Sequence, residues 1–187
     1  MKNITTENHY FILQVSQKKE TKFIKQVNEY NLDFPYKLHF PVRRLDIRKK
    51  GKIKASQAAV FSGYVILQLE EEGNIANCLY IFRKLKGFNR FLISNDNIIP
   101  LQGNDLALIM KFISFGPVIG KSKVYFDENS RIVVLQGPLS GLEGNIVKVD
   151  RRKKRAKIKL DLYDDSFFID LAFEVIEKAK QVNNGQE

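Results

Sequence analysis

A change of hydrophobic period along the chain constrains its fold most. In the second half, Ala156, Ile158, Leu160 and Leu162 alternate with Arg155, Lys157, Lys159 and Asp161. Ile169, Leu171, Phe173 and Val175 alternate with their polar neighbours in the same way. A period of two puts alternate side chains on opposite faces of a strand, so this half reads as sheet with one face buried. Ahead of it, the apolar run after Arg131 reaches a loop holding Gly137, Pro138, Gly141 and Gly144, and a second β-rich run follows to Asp150. Glycine admits the positive φ a tight loop needs, and proline pre-sets the φ of a turn.

The first half mixes periods. Tyr10 to Val15 reads as a buried strand. Phe23, Ile24, Val27 and Tyr30 then recur at helical spacing until Pro35 ends the segment. Tyr36 to Phe40 and Phe61 to Leu69 read as strands. A helix opens at Asn74 as N-cap, buries Ile75, Cys78, Leu79 and Phe82, and carries Arg83, Lys84 and Lys86 in a last turn closed by Gly87. A further helix runs from about Asp105 with Leu106, Ile109, Met110 and Ile113 on one face. The expected plan is α+β: an N-terminal domain of mixed helices and strands over 1–113, a linker over 114–128, a small all-β domain over 129–180 and a tail over 181–187.

With 187 residues, 44% of them hydrophobic, the chain has enough apolar material for two small cores. No signal peptide is legible at the N-terminus and no run is long enough to cross a bilayer. A single cysteine, Cys78, cannot form an internal disulfide, which suits a reducing cytoplasm. Chemistry is poorly provided for. His9 and His39 have no partner at triad or ligand spacing, Cys78 sits on an apolar helix stripe, and no Cys-x-x-Cys pair exists. Gly116-Pro-Val-Ile-Gly120-Lys121-Ser122 imitates a phosphate loop. It fails because three residues, and not four, separate its glycines, and because it follows a helix. The expectation is a binding protein without enzymatic activity, metal or cofactor.

The formal charge is +10, concentrated in two runs. One holds Arg43, Arg44, Arg48, Lys49, Lys50, Lys52 and Lys54, opposed only by Asp46. The other holds Arg151, Arg152, Lys153, Lys154, Arg155, Lys157 and Lys159 with no acid before Asp161. A charge run is usually a solvated face. These are denser than that, lie in or beside hairpins, and suit a phosphate backbone.

Together the two halves resemble the NusG transcription factors, which implies an N-terminal NGN domain, an antiparallel sheet with flanking helices, followed by a small all-β SH3-like KOW barrel. Tyr10-Phe11 with Gln14-Val15 is similar to the opening of NGN domains. Phe61-Ser-Gly-Tyr64-Val resembles the family's Phe-Pro-Gly-Tyr-Val with serine for proline. Gly137, Pro138 and Gly144, then Asp150 and the run Phe173 to Lys178, resemble the KOW pattern, and Arg151 to Lys178 follows it without a gap. Leu139 and Leu142 stand where general members carry phenylalanines used for Rho or the ribosomal partner. The loop and the basic run after Lys148 are similar instead to the specialised LoaP-type paralogs.

The resemblance implies a cytoplasmic monomer that binds the clamp helices of RNA polymerase, through an apolar patch of Tyr10, Phe11, Phe61 and Tyr64, and promotes processive elongation. It implies recruitment to particular operons by a nucleic-acid element, foremost an RNA hairpin in the operon leader. A housekeeping elongation factor and a ribosome-associated KOW protein are the rival readings.

Overall fold

The computed structural model describes residues 8–49, 51–92, 96–162 and 165–177. Its N-terminal half runs β1 (His9–Val15), α1 (Glu20–Tyr30), β2 (Tyr36–His39), β3 (Val42–Lys49), β4 (Lys52–Ala59), β5 (Tyr64–Leu69), α2 (Ile75–Phe82), β6 (Phe88–Phe91) and α3 (Gly103–Ser114). Strands β2, β5, β1 and β6, in that order, form an antiparallel sheet. Period-two alternation splits its side chains cleanly. Phe11, Leu13 and Val15 of β1, with Val65, Leu67 and Leu69 of β5, pack under α1 and α2. Tyr10, Ile12 and Ile66 face the other way, toward α3.

Helix α1 forms because Phe23 and Val27, one turn apart, both fall on the sheet. Each such side chain contributes about 1.5–3 kcal/mol when fully buried. It ends at Asn31, whose left-handed backbone (φ 55°) lets its N–H donate to the Val27 carbonyl. Helix α2 departs from expectation at both ends. A 3₁₀ turn over Glu72–Asn74 leads into it, Asn74 is itself helical, and its side chain makes no cap hydrogen bond. The helix stops at Phe82, ahead of Arg83, Lys84 and Lys86.

The C-terminal half adds β7 (Val118–Ile119), β8 (Ser122–Phe126), β9 (Ile132–Gln136), β10 (Ile146–Asp150), β11 (Arg155–Leu162) and β12 (Asp165–Val175). The five strands of the barrel run in the order β10-β11-β12-β8-β9, with β12 antiparallel to β11 and parallel to β8. The overall class is α+β, as expected. Ala156, Ile158, Leu160, Leu162, Ile169, Leu171 and Phe173 are all buried, whereas Val175 is 48% exposed at the strand's end.

The stretch 114–128, expected as a linker, holds strands β7 and β8, so the barrel starts at Ser122 and not at Asn129. Flanking Gly116, Pro117 and Gly120 hide a strand whose Ser122 and Val124 point inward. Strand β7 joins the β3–β4 hairpin by pairing in parallel with β3. The expected tail, and Lys178 at the end of the barrel motif, lie outside the described residues.

One glycine fixes the loop after β9. Gly137 has φ +101°, and a Cβ there would stand 2.7 Å from the Ser122 Cα. The Leu139 N–H donates to the buried Ser122 hydroxyl at 2.9 Å, so the loop is tied directly to β8.

Candidate functional site

The face of the N-terminal sheet turned away from α1 and α2 carries three of the four aromatic residues expected to form one patch. Tyr10 and Phe61 are buried and Tyr64 is partly buried on this face. Phe11 is not among them. Adjacent to Tyr10 in a strand, it must point to the opposite face, where it is 1% exposed and meets Phe91 edge-on. A docking role for Phe11 is therefore incompatible with its position in the helix-covered core.

The Phe61-Ser-Gly-Tyr64 turn is held from below. Gly63 adopts φ +86°, its N–H donates to the Glu20 carboxylate at 2.7 Å, and its carbonyl accepts from the Val15 N–H at 2.7 Å. Glu20 itself is buried in the first turn of α1. This arrangement projects Phe61 and Tyr64 onto the face opposite α1 and α2.

That face is covered by the barrel. Phe167 of β12 packs edge-on against Phe61 (ring centroids 5.8 Å apart) and Tyr64 (5.3 Å), while Phe112 of α3 closes on Phe61 at 5.4 Å. The apolar residues of this face and those of the barrel form one continuous cluster. Sequence reasoning passed over Phe167, although it shares strand parity with Ile169, Leu171 and Phe173.

The barrel loop is also covered. Leu139 and Leu142, which stand where general members carry phenylalanines, are 0% and 6% exposed. The Lys111 ammonium of α3 donates to the Ser140 carbonyl and lies 3.2 Å from where a Cβ on Gly141 would be. Gly144 sits in a 3₁₀ turn over Glu143–Asn145 with open space around it.

The two basic runs meet across the domain boundary. The guanidinium of Arg155, at the start of β11, donates to the Asp46 carbonyl of β3 at 2.7 Å. Lys121 pairs with the Asp46 carboxylate at 2.5 Å. Between the β3–β4 hairpin and the β10–β11 turn lies a cleft of about 500 Å³, lined by Asp46, Ile47, Ile53 and the run Arg152 to Arg155.

Not every expected phosphate ligand is free to act as one. Arg43 turns inward with Leu45 and donates to the Ala59 and Val60 carbonyls. Burial pushes its pKa down, a nearby Asp170 opposes this, and Arg155 adds to it. The Nε atoms of Arg43 and Arg155 are buried without a protein partner. Both arginines are thus built into the domain boundary. Arg151 is diverted too, lying 3.9 Å over the Phe126 ring and donating to the Ser130 carbonyl at 2.5 Å. Arg44, Lys52, Lys54, Arg152, Lys153 and Lys154 remain exposed. Arg48 and Lys49 end β3, and Lys50 lies outside the described residues.

Cys78 and His39 are both perturbed by burial. Burial pushes the Cys78 thiol up to about 12, which suppresses the reactive thiolate. Burial also lowers the pKa of His39, against an opposing hydrogen bond to Gln68 at 2.8 Å. Among the described residues no group of three His, Cys, Asp or Glu could hold a metal, and no helix is long and apolar enough to cross a membrane.

Known proteins show the same plan. Residues 8–110 match the family model described as "Transcription termination factor nusG". The chain is 24% identical over 147 residues to the "Transcription termination/antitermination protein NusG" of Borreliella burgdorferi, covering 74% of this chain and 78% of that one. It is 21% identical over 188 residues to the protein of the same description from Pasteurella multocida, covering 95% and 99%. Its fold is similar to a solved structure described as "Domain interaction in Thermotoga maritima NusG", with a TM-score of 0.58 and 15% identity over 89% of this chain and 94% of that one. The family match spans more than half of the chain, and the chain belongs to the NusG family of transcription termination and antitermination factors.

Proposed function

We propose that this chain is a specialised, LoaP-like member of the family that acts in the cytoplasm. It binds the clamp helices of RNA polymerase and promotes processive elongation on particular operons, where a nucleic-acid element recruits it. The observation that carries this reading is the aromatic face of Tyr10, Phe61 and Tyr64, held in place by Gly63 and Glu20 and sealed by Phe167. Aromatic residues presented on a rigid sheet suit an interface anchor.

Contact with polymerase through this face requires the barrel to leave it. The docked form is then a reservoir, and polymerase captures the open form by differential binding. Once bound, a factor bridging the mobile walls of the polymerase cleft favours the closed, elongating state. Pausing and termination become less populated for the same thermodynamic reason.

The specialised reading draws on Leu139 and Leu142, which replace aromatic tip residues, and on the exposed cations of both basic runs. Polymerase occupancy mapped across the genome, with and without the protein, tests it. Changes confined to a few long operons are expected. Uniform changes, together with tight Rho binding, would assign the chain to the housekeeping role.

A further inference from the structure

We propose that the cleft between the β3–β4 hairpin and the β10–β11 turn binds an unpaired stretch of nucleic acid, and that it is complete only while the barrel is docked. The inference rests on the nucleic-acid part of the proposed function and adds a location, a ligand form and a dependence on domain arrangement: the strand is held by the docked form, and polymerase capture of the open form releases it.

Two features of the cleft select the ligand. Its cations come from the β10–β11 turn, where Arg152, Lys153 and Lys154 are exposed. Its apolar lining comes from the hairpin, where Ile47 is 38% and Ile53 66% exposed. A paired duplex offers these walls only backbone, because its bases are stacked inside. An unpaired nucleotide offers a phosphate to the cations and a base face to the isoleucines. A volume of about 500 Å³ suits a small organic group of that size.

The carboxylates of Asp46 and Asp150 are already engaged. Lys121 holds the Asp46 carboxylate, and the Lys153 N–H donates to Asp150 at 2.8 Å, so neither carboxylate opposes a phosphate unscreened. The hydrogen bond from Arg155 to the Asp46 carbonyl sets the two walls against each other. Since one wall belongs to each domain, undocking dismantles the cleft without altering any residue that lines it.

The test is fluorescence polarisation of the full chain with a short single-stranded RNA, the same RNA fully paired, and the matching single-stranded DNA. The parent is expected to prefer the unpaired strands, and the RNA and DNA arms identify which of them is the ligand. Ile53→Ser, at a site exposed enough to leave folding intact, should weaken unpaired binding about tenfold, the scale of burying one isoleucine. The same change should leave the salt slope alone. Arg152→Gln with Lys153→Gln should reduce that slope by about 1.4, at roughly 0.7 per phosphate contact for a single strand. Phe167→Glu should lose unpaired binding although it removes no cation.

Equal binding of paired and unpaired RNA, or an unchanged affinity in Ile53→Ser, overturns the cleft while leaving a nucleic-acid role elsewhere intact. Polyglutamate competing as well as RNA would assign the cleft to an acidic peptide instead. A parent that binds no nucleic acid at all sinks both this site and the recruitment it rests on. Circular dichroism checks each variant, and if Phe167→Glu does not fold, the Ile53→Ser comparison decides.

Discussion

Two glycines of the barrel loop, both part of the motif legible in the sequence, should respond in opposite ways to the same substitution. Gly137→Ala places a Cβ 2.7 Å from the Ser122 Cα and 3.1 Å from the Lys121 carbonyl, at φ +101°. Both neighbours are backbone of β8 and its approach, so no side chain can swing aside. A non-glycine residue in the left-handed region costs about 1–2 kcal/mol. Forcing the loop off β8 adds about 1–3 kcal/mol, as overpacking typically does. The total of about 2–5 kcal/mol should lower the melting temperature by roughly 4–20 °C for a chain of this size. Gly144→Ala meets nothing within 4 Å, and its backbone is not left-handed. It should be neutral, or stabilising by about 0.4–1 kcal/mol through the unfolded state. Thermal and urea unfolding of both variants measure the difference. If Gly137→Ala proves as benign as Gly144→Ala, the loop is not clamped onto β8 as described.

Other consequences follow from burial and charge. Arg43→Gln removes the donor to the Ala59 and Val60 carbonyls and should cost about 1.5–3 kcal/mol, whereas exposed Arg44→Gln should fall within about 0.5 kcal/mol in urea titrations. His39 has a folded pKa below its ordinary 6.5, so protons bind the unfolded chain more readily. Its contribution to stability is full above 6.5 and is lost as pH falls through the lowered folded value. Unfolding midpoints from neutral to mildly acidic pH should therefore drop further in the parent than in His39→Gln. Cys78, buried and with its thiol pushed up to about 12, should resist thiol reagents at pH near 8 until the protein is denatured. Mass spectrometry of labelled native and denatured protein reads this directly.

Local patterning made much of this fold legible. The alternation at Ala156 to Leu162 and at Ile169 to Phe173 identified buried strand faces because a sheet repeats every two residues. The helical spacing of Phe23 and Val27 identified the stripe that covers the first sheet. Elements fixed by tertiary pairing were harder to see. Strand β8 is short and flanked by glycine and proline, and it becomes a strand by joining β9 and β12. The basic stretch from Arg43 to Lys54 reads from charge alone as one phosphate-binding run, yet β3 pairs with β7 and turns Leu45 and Arg43 inward. Charge counting could not separate Arg43, turned onto the Ala59 and Val60 carbonyls, and Arg155, bonded across the boundary to Asp46, from the exposed cations beside them.

The aromatic patch shows the same division. Strand parity alone separates Phe11 from Tyr10, whereas family resemblance had grouped them. That Phe167 lies over Phe61 and Tyr64 depends on contacts between residues a hundred positions apart, which no local pattern encodes.

The central claim is that the face of Phe61 and Tyr64 binds polymerase once the barrel leaves it. Phe61→Ala would both undock the barrel and remove an anchor, so the clean comparison starts from the barrel side. Losing two edge-on aromatic contacts, each about 0.5–1.5 kcal/mol, weakens docking by about 1–3 kcal/mol, or roughly 5–150-fold. Where the docked form predominates, apparent affinity for polymerase rises with the open fraction. Titration of purified RNA polymerase with the parent, Phe167→Ala, and Phe167→Ala combined with Tyr64→Ala measures this. The account requires tighter binding by Phe167→Ala and loss of that gain in the double variant. Equal affinity for all three folded proteins would contradict it.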